Sequence, residues 1–128
     1  MTHIVFVCEH GAAKSILAAT YFNKLAYEKG LNIKAVARGT HPDAELSRKT
    51  VDGLFEDGLT PSESAPQKLL LTDVENAQCI ISFCDLPAEY RQNMPVEQWD
   101  DVPPVSENYK TARDAILERL DRLVTELS

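Results

Sequence analysis

The chain has 128 residues, a formal net charge of −7 and 44% hydrophobic residues, which is typical of one domain with a single substantial core. Its acidic balance and lack of Lys/Arg clusters argue against nucleic acid or an anionic membrane as a partner. The apolar run at residues 4–7 is far shorter than a signal peptide's apolar region or the ~20 residues of a membrane span. Three cysteines in no secreted-type spacing fit a reducing compartment. We therefore expect one cytoplasmic domain over residues 1–128, without a structural disulfide.

The first half of the chain predicts a strand, a helix, a second strand and a second helix. Residues 3–8 form a β-rich run without alternation, as in a strand buried on both faces. Apolar residues at helical spacing predict a helix over 14–29, which Gly30 ends. Residues 32–38 follow as a second strand, so this short unit implies a right-handed parallel crossover. A second helix is predicted over 47–57, with Ser47 or its neighbour as cap.

The second half continues the alternation and ends in a long helix. The predicted elements are a loop over 59–67, a short helix or turn over 69–77, a buried strand over 79–83, a short helix over 86–94 with Pro87 in its first turn, a short strand over 96–99, and an amphipathic helix over 106–127 capped by Ser106. This alternation indicates a layered α/β domain. Because ligands bind outside the carboxyl ends of parallel strands, Cys8 and Cys84 are expected on the same rim of the sheet.

Residues 8–15, Cys-Glu-His-Gly-Ala-Ala-Lys-Ser, join the first strand to the first helix. Such a small-residue loop directs backbone N–H groups at a common centre, and the helix N-terminus adds about half a positive charge, so an oxyanion is the natural ligand. Cys8, Lys14 and Ser15 bring a thiol, a cation and a hydroxyl to that centre. A thiol with an ordinary pKa of ~8.5 can fall to ~3.5–7.5 in such surroundings. We expect Cys8 to be a thiolate nucleophile at neutral pH.

This loop resembles that of the low-molecular-weight protein tyrosine phosphatases and the related thioredoxin-coupled arsenate reductases. Their pattern is a Cys, five residues and then Arg-Ser. Cys8 and Ser15 match this pattern, whereas Lys14 replaces the arginine. The family's Gly-Asn inside the loop reads His10-Gly11 here, and Gly11 can adopt the left-handed backbone that Asn tolerates. The resemblance extends over essentially the whole chain.

The resemblance implies a four-stranded parallel sheet of order 2-1-3-4, with helices on both faces in a three-layer sandwich. It also implies hydrolysis of phosphomonoesters, including phosphotyrosine, through a phosphocysteine on Cys8, with no cofactor. Asp101 would be the acid that protonates the leaving group, with Asp100 as the alternative. The oxyanions would be held by Lys14, Ser15 and the backbone of Glu9, His10, Gly11, Ala12 and Ala13. No metal site is expected, because no His/Cys/carboxylate spacing supports one.

Two other functions stay open. The first is arsenate reduction by Cys8 and Cys84, with thioredoxin or glutaredoxin as the electron donor. The resemblance implies it, because Cys84 lies in the region where the related arsenate reductases hold a resolving thiol. A catalytically weak oxyanion-binding or regulatory protein is the second, since Lys14 offers a point charge in place of the planar arginine fork. Arg38, at the neighbouring strand end, is the alternative source of that fork. The substrate would be a phosphorylated protein, a small phosphoester or arsenate.

Overall fold

The computed structural model describes residues 2–91 and 95–128. Its sheet contains four parallel strands in the order β2-β1-β3-β4. The strands are β1 (Thr2–Cys8), β2 (Ile33–Gly39), β3 (Ala77–Ser82) and β4 (Val96–Gln98). The helices are α1 (Lys14–Glu28), α2 (Arg48–Glu56), α3 (Leu71–Glu75) and α4 (Tyr109–Leu127), with a short 3₁₀-helix at Ala88–Tyr90. The predicted α/β fold and strand order are therefore confirmed.

Strand β1 is buried on both of its faces, which explains why its sequence shows no alternation. Ile4 and Phe6 pack on the face covered by α1, α2 and α4. Val5 and Val7 pack on the opposite face, against a smaller cluster that includes Val74 of α3. The helices thus lie on both sides of the sheet, and the carboxyl end of β1 opens at its edge.

Most predicted elements lie within two residues of their observed bounds, and Ser47 caps α2 as expected, its side chain accepting a 3.4 Å hydrogen bond from Thr50 N. The prediction that Ser106 caps the last helix is wrong. Asn108 is the cap, since its Oδ1 accepts a 3.0 Å hydrogen bond from Thr111 N. The helix predicted over 86–94 is only the 3₁₀-helix, with Pro87 just before it. Residues 92–94 of that prediction lie outside the described residues.

A half-buried carboxylate connects three helices on one face of the sheet. Asp57, which follows α2, accepts hydrogen bonds of 2.5 Å from Tyr21 OH of α1 and 2.8 Å from Tyr109 OH of α4. Arg113 of α4 donates to its other oxygen at 3.1 Å. Burial raises the pKa of Asp57, but the hydrogen bonds from both tyrosines and the charge of Arg113 hold it below its ordinary value. Asp57 therefore stabilises the fold as a carboxylate.

Within the described residues, no helix combines the length and the apolar character needed to cross a membrane.

Candidate active site

The loop between β1 and α1 is anchored through its carbonyl groups. The carbonyl oxygens of residues 8, 9, 10 and 12 accept hydrogen bonds of 3.2, 2.7, 3.0 and 2.9 Å from the N–H groups of Thr40, His41, Asp43 and Ser47, in that order. A trans peptide directs its N–H away from its C=O. The N–H groups that follow these carbonyls therefore point away from the segment 40–47.

The N–H groups of this loop form a cluster of hydrogen-bond donors. Among residues 2–91 and 95–128, no protein group accepts a hydrogen bond from the N–H groups of residues 9–13. Helix α1 begins directly after them, and its N-cap residue Ala13 makes no side-chain capping bond. The first turn of α1 therefore adds its own unpaired N–H groups and partial positive charge. This arrangement suits a bound oxyanion.

Two glycines allow the loop to lie against the end of β2. Gly11 has a φ of +60°, the left-handed conformation expected from its place in the loop. Gly39 faces it so closely that a Cβ on Gly39 would lie 2.7 Å from Gly11 N and 2.9 Å from Gly11 Cα. A side chain on Gly39 would therefore displace the loop backbone. The left-handed Gly11 predicted from the sequence is confirmed.

Cys8 and Ser15 meet beneath the loop. Cys8 is 7% exposed and Ser15 is fully buried, and Cys8 Sγ lies 3.0 Å from Ser15 Oγ. The Ser15 hydroxyl is close enough to donate its hydrogen to a thiolate at Cys8. The two side chains that match the resembled pattern are thus brought together.

Lys14, the departure from that pattern, lies at the edge of the site. Its Nζ donates a 2.8 Å hydrogen bond to the carbonyl oxygen of Val102, in the segment before α4. The amine of Lys14 therefore links the start of α1 to the segment that precedes α4.

An open cavity of about 350 Å³ lies over the loop. It is lined by Cys8, Glu9, His10, Ala12, Ala13, Lys14, Asp43, Ser47, Phe83, Cys84, Pro104, Val105 and Ser106. The wall from the segment before α4 thus consists of residues 104–106, which carry no ionisable side chain. Within the described residues, no group of three or more His, Cys, Asp or Glu side chains could hold a metal ion.

The two aspartates predicted as the acid do not line this cavity. Asp101 is 71% exposed in its side chain and pairs with Arg119 of α4. Asp100 is also exposed, immediately after Trp99. For Asp101 to reach a substrate over Cys8, its ion pair with Arg119 would have to open.

Arg38 also lies elsewhere. Its side chain, 18% exposed, is 3.2 Å from Asp73 and 3.6 Å from Glu63 and donates to the carbonyl oxygen of Ala37 at 2.8 Å. It lines a different cavity, which also contains His3 and Val36. Its fork is therefore occupied by carboxylates, away from Cys8.

Cys84 follows β3 on the same rim as Cys8, as the sequence predicted, and both line the cavity. Burial raises the pKa of the Cys84 thiol, as do the negative charges of Cys8, Glu9 and Asp85, whereas its hydrogen bond to Ser82 acts in the opposite direction. Cys84 is therefore a protonated thiol at neutral pH. Cys8, Cys79 and Cys84 are not joined by any disulfide.

Sequence reasoning missed Asp43, which reaches the cavity from the turn after β2. Its Oδ1 lies 3.2 Å from Nδ1 of His10. The available signal was the position of Asp43: a polar residue shortly after a parallel strand lies at the carboxyl edge, where ligands bind. The resemblance assigned His10 to the oxyanion-binding loop through its backbone, and the residue also lines the cavity.

One known protein family matches most of this chain. The model of the family described as low molecular weight phosphotyrosine protein phosphatase matches residues 3–118. The chain belongs to this family. A comparison with curated proteins gave no match.

Solved structures of several phosphatases and arsenate reductases share the fold of this phosphatase-family chain. A mutant of YwlE from Bacillus subtilis is 21% identical with a TM-score of 0.85, covering 99% of each chain. A low molecular weight protein tyrosine phosphatase from the same organism is 20% identical, with a TM-score of 0.82 and coverage of 98% of this chain and 97% of that one. An arsenate reductase from Archaeoglobus fulgidus is 25% identical, with a TM-score of 0.74 and coverage of 95% and 98%. The structural neighbours of this chain thus include a protein named as a phosphatase and one named as an arsenate reductase.

Proposed function

We propose that this member of the low-molecular-weight phosphatase family hydrolyses phosphomonoesters, either phosphotyrosine in a protein or a small phosphoester, with Cys8 as the nucleophile. The supporting observation is the position of Cys8 Sγ. It lies on the cavity floor, 3.0 Å from the Ser15 hydroxyl, at the start of a loop whose N–H groups are unpaired among the described residues.

In the first step, the phosphoryl oxygens bind the N–H groups of residues 9–13 and the first turn of α1, with Lys14 supplying a positive charge. The thiolate of Cys8 attacks phosphorus, so that a sulfur–phosphorus bond forms while the bond to the leaving oxygen breaks. Donors already fixed around the phosphoryl group stabilise its charge without rearranging, which is where most of the rate enhancement arises. The leaving oxygen takes a proton from an acid.

In the second step, water attacks the phosphocysteine, and phosphate leaves as the thiolate of Cys8 is restored. The hydroxyl of Ser15 would stabilise that thiolate by hydrogen bonding. The resemblance predicts Asp101 as the acid of the first step and as the base that takes the proton of the attacking water in the second, and its ion pair with Arg119 would have to open before it could act. No cofactor takes part in either step.

The proposed function is tested by comparing the wild type with Cys8→Ser and Cys79→Ser. We expect the wild type and Cys79→Ser to hydrolyse aryl phosphates, and Cys8→Ser to lose turnover while still binding inorganic phosphate, because backbone groups form the anion site. Cys79 lies in β3 and does not line the cavity, so it is a matched control for loss of a thiol. Turnover in Cys8→Ser would overturn the nucleophile assignment.

Arsenate reduction is the second candidate, supported by the presence of Cys8 and Cys84 in one cavity. In that reaction the thiolate of Cys8 would displace water from arsenate to form a sulfur–arsenic(V) bond. The sulfur of Cys84 would then attack Cys8 Sγ, so that a disulfide forms, two electrons pass to arsenic, and arsenite leaves. Thioredoxin or glutaredoxin would return the disulfide to two thiols.

Thiol-dependent arsenate reduction, measured beside phosphatase turnover, separates the candidates. Reduction that is lost in Cys84→Ser, together with a Cys8–Cys84 disulfide detected by peptide mass spectrometry, would favour the reductase. Arsenate that acts only as a competitive inhibitor would favour the phosphatase. Phosphate binding without either turnover would favour an oxyanion-binding protein.

A further inference from the structure

Within residues 2–91 and 95–128, no carboxylate lines the cavity over Cys8 on the wall where the sequence predicts the acid. Residues 104–106 line this wall, whereas Asp101 is engaged with Arg119. A phosphatase needs a proton donor at this point, because an alkoxide or a basic phenoxide is a poor leaving group. The donor should therefore be sought among the ionisable side chains that do line the cavity.

In the part of the chain that the structure describes, those residues, apart from the two thiols, are Glu9, His10, Lys14 and Asp43. Lys14 is bound to the Val102 carbonyl and supplies the positive charge. The other three form one cluster. His10 Nδ1 lies 3.2 Å from Asp43 Oδ1, and His10 Nε2 lies 3.8 Å from Glu9 Oε2.

The backbone fixes the pair formed by His10 and Asp43 in place. Asp43 N donates a 3.0 Å hydrogen bond to the carbonyl oxygen of His10, so main chain and side chains join the same two residues. His10 is also part of the anion-binding loop, directly before the left-handed Gly11. His10 therefore lines the cavity over Cys8, and its contact with Asp43 orients the ring.

We propose that His10, oriented by Asp43, is the proton donor of the phosphatase reaction; this inference rests on the proposed phosphatase function. In the first step the sulfur–phosphorus bond forms, the phosphorus–oxygen bond breaks, and the proton on His10 Nε2 passes to the leaving oxygen. In the second step neutral His10 takes a proton from the attacking water, the new phosphorus–oxygen bond forms, and Cys8 leaves as thiolate. Asp43 is the positioning residue.

The contacts of the ring explain why histidine suits this place. Nδ1 faces the carboxylate of Asp43, whereas Nε2 lies 3.8 Å from Glu9 Oε2, beyond hydrogen-bond distance. Nε2 is therefore the nitrogen that can exchange its proton with a substrate. Both carboxylates form ion pairs with the ring when it is protonated. The ring remains 58% exposed in its side chain, so the attacking water of the second step can approach it and return the proton given in the first step.

The test uses aryl phosphates whose leaving groups range from good (dinitrophenol) to poor (phenol). Replacing His10 by Gln keeps a hydrogen-bonding side chain but removes the proton donor. We expect His10→Gln to lose roughly 10²–10⁴-fold in kcat/KM for phenyl phosphate and little for dinitrophenyl phosphate, because only the poor leaving group needs a proton. Asp43→Asn should show a smaller loss with the same dependence on the leaving group.

Three controls separate this role from a structural one. His41→Gln is the matched control, since the His41 ring contacts the hydroxyl of Thr40 and does not line the cavity. Inorganic phosphate should bind His10→Gln as it binds the wild type, which shows that the loop is intact. The pH profile of kcat/KM also depends on the other ionisable groups of the cavity, which are Glu9, Asp43, Cys8, Lys14 and Cys84. The informative observation is therefore the limb of this pH profile that disappears in His10→Gln alone.

The outcomes distinguish this inference from the proposed function. A wild type without Cys8-dependent hydrolysis overturns both. Cys8-dependent hydrolysis in which His10→Gln loses the same factor for every leaving group, or nothing, overturns only the role of His10. A loss that depends on the leaving group in Asp101→Asn but not in His10→Gln or Asp43→Asn would assign the acid to Asp101.

Discussion

The amine of Lys14 donates a 2.8 Å hydrogen bond to the carbonyl oxygen of Val102, so the first residue of α1 is joined to the segment that precedes α4. This bond uses one of the three donors of the amine. The side chain that we propose to meet an oxyanion over Cys8 therefore also holds the segment that leads to the cavity wall at residues 104–106. An arginine could bind the Val102 carbonyl and an oxyanion with different nitrogen atoms, whereas a lysine has one nitrogen for both contacts.

We therefore predict that Lys14→Arg raises kcat/KM for an aryl phosphate roughly tenfold to a hundredfold, the magnitude that one well-placed oxyanion donor contributes. Lys14→Met, which keeps the length of the side chain, should weaken phosphate binding by a similar factor, since a charged hydrogen bond is lost. Steady-state kinetics and phosphate titration measure both effects. If neither variant differs from the wild type, Lys14 does not contact the transferred group.

Arg38→Ala should leave turnover unchanged. Its guanidinium is held by Asp73 and Glu63, so it does not supply the fork that Lys14 lacks. We expect a loss of about 1–3 kcal/mol in the free energy of unfolding, because two half-buried carboxylates lose their counter-charge. Urea denaturation and phosphatase kinetics on the same variant check both parts. A lower kcat with unchanged stability would instead place Arg38 in the reaction.

Gly39→Ala should abolish phosphate binding, because its Cβ would lie 2.7 Å from Gly11 N and would displace the loop that carries the unpaired N–H groups. Gly30→Ala is the matched control. Gly30 has a φ of +68° and open space around the site of a Cβ, so it should cost about 1–2 kcal/mol of stability without affecting phosphate affinity. Isothermal titration with phosphate distinguishes them, and normal affinity in Gly39→Ala would contradict the loop's dependence on this contact.

The strand order was predicted from the family resemblance, whereas the alternation of strands and helices and the loop at residues 8–15 could be predicted from local patterns. An unbroken apolar run marked the central strand β1, and Cys8 and Ser15 marked the ends of a loop whose backbone has little conformational choice. The sequence could not choose the cap of α4. Ser106 and Asn108 are both good capping residues, and the choice depends on the turn in which Asn108 N bonds to the Pro104 carbonyl.

Local sequence patterns also could not predict which side chains line the cavity. The direction in which Asp101 points depends on Arg119, 18 residues later in α4, and no periodicity specifies such a pair. Likewise, the contact between His10 and Asp43 depends on how the turn after β2 folds over the loop. Side-chain partners that are distant in sequence thus decide which carboxylates reach the site.

Asp57→Asn should destabilise the fold without changing the active site. The carboxylate accepts hydrogen bonds from Tyr21, Tyr109 and Arg113, and we expect a loss of about 2–4 kcal/mol in the free energy of unfolding. Asp52→Asn is the control, because Asp52 is exposed and pairs with Arg48 along α2, so its loss should stay below about 1 kcal/mol. Equal losses in the two variants would contradict the structural role of Asp57.

The same cluster predicts that the free energy of unfolding falls at both ends of the pH range. The folded pKa of Asp57 lies below its ordinary value, so its contribution is complete above about pH 5 and is lost as the pH falls below ~4. Burial and the Asp57 carboxylate raise the pKa of Tyr21 to about 12 and that of Tyr109 further. An unfolded tyrosine ionises near ~10, so stability should also fall as the pH rises above that value. Urea denaturation across this range checks the prediction: Asp57→Asn should lose the acid slope and part of the alkaline slope, and an acid slope identical to that of the wild type would show that other carboxylates produce it.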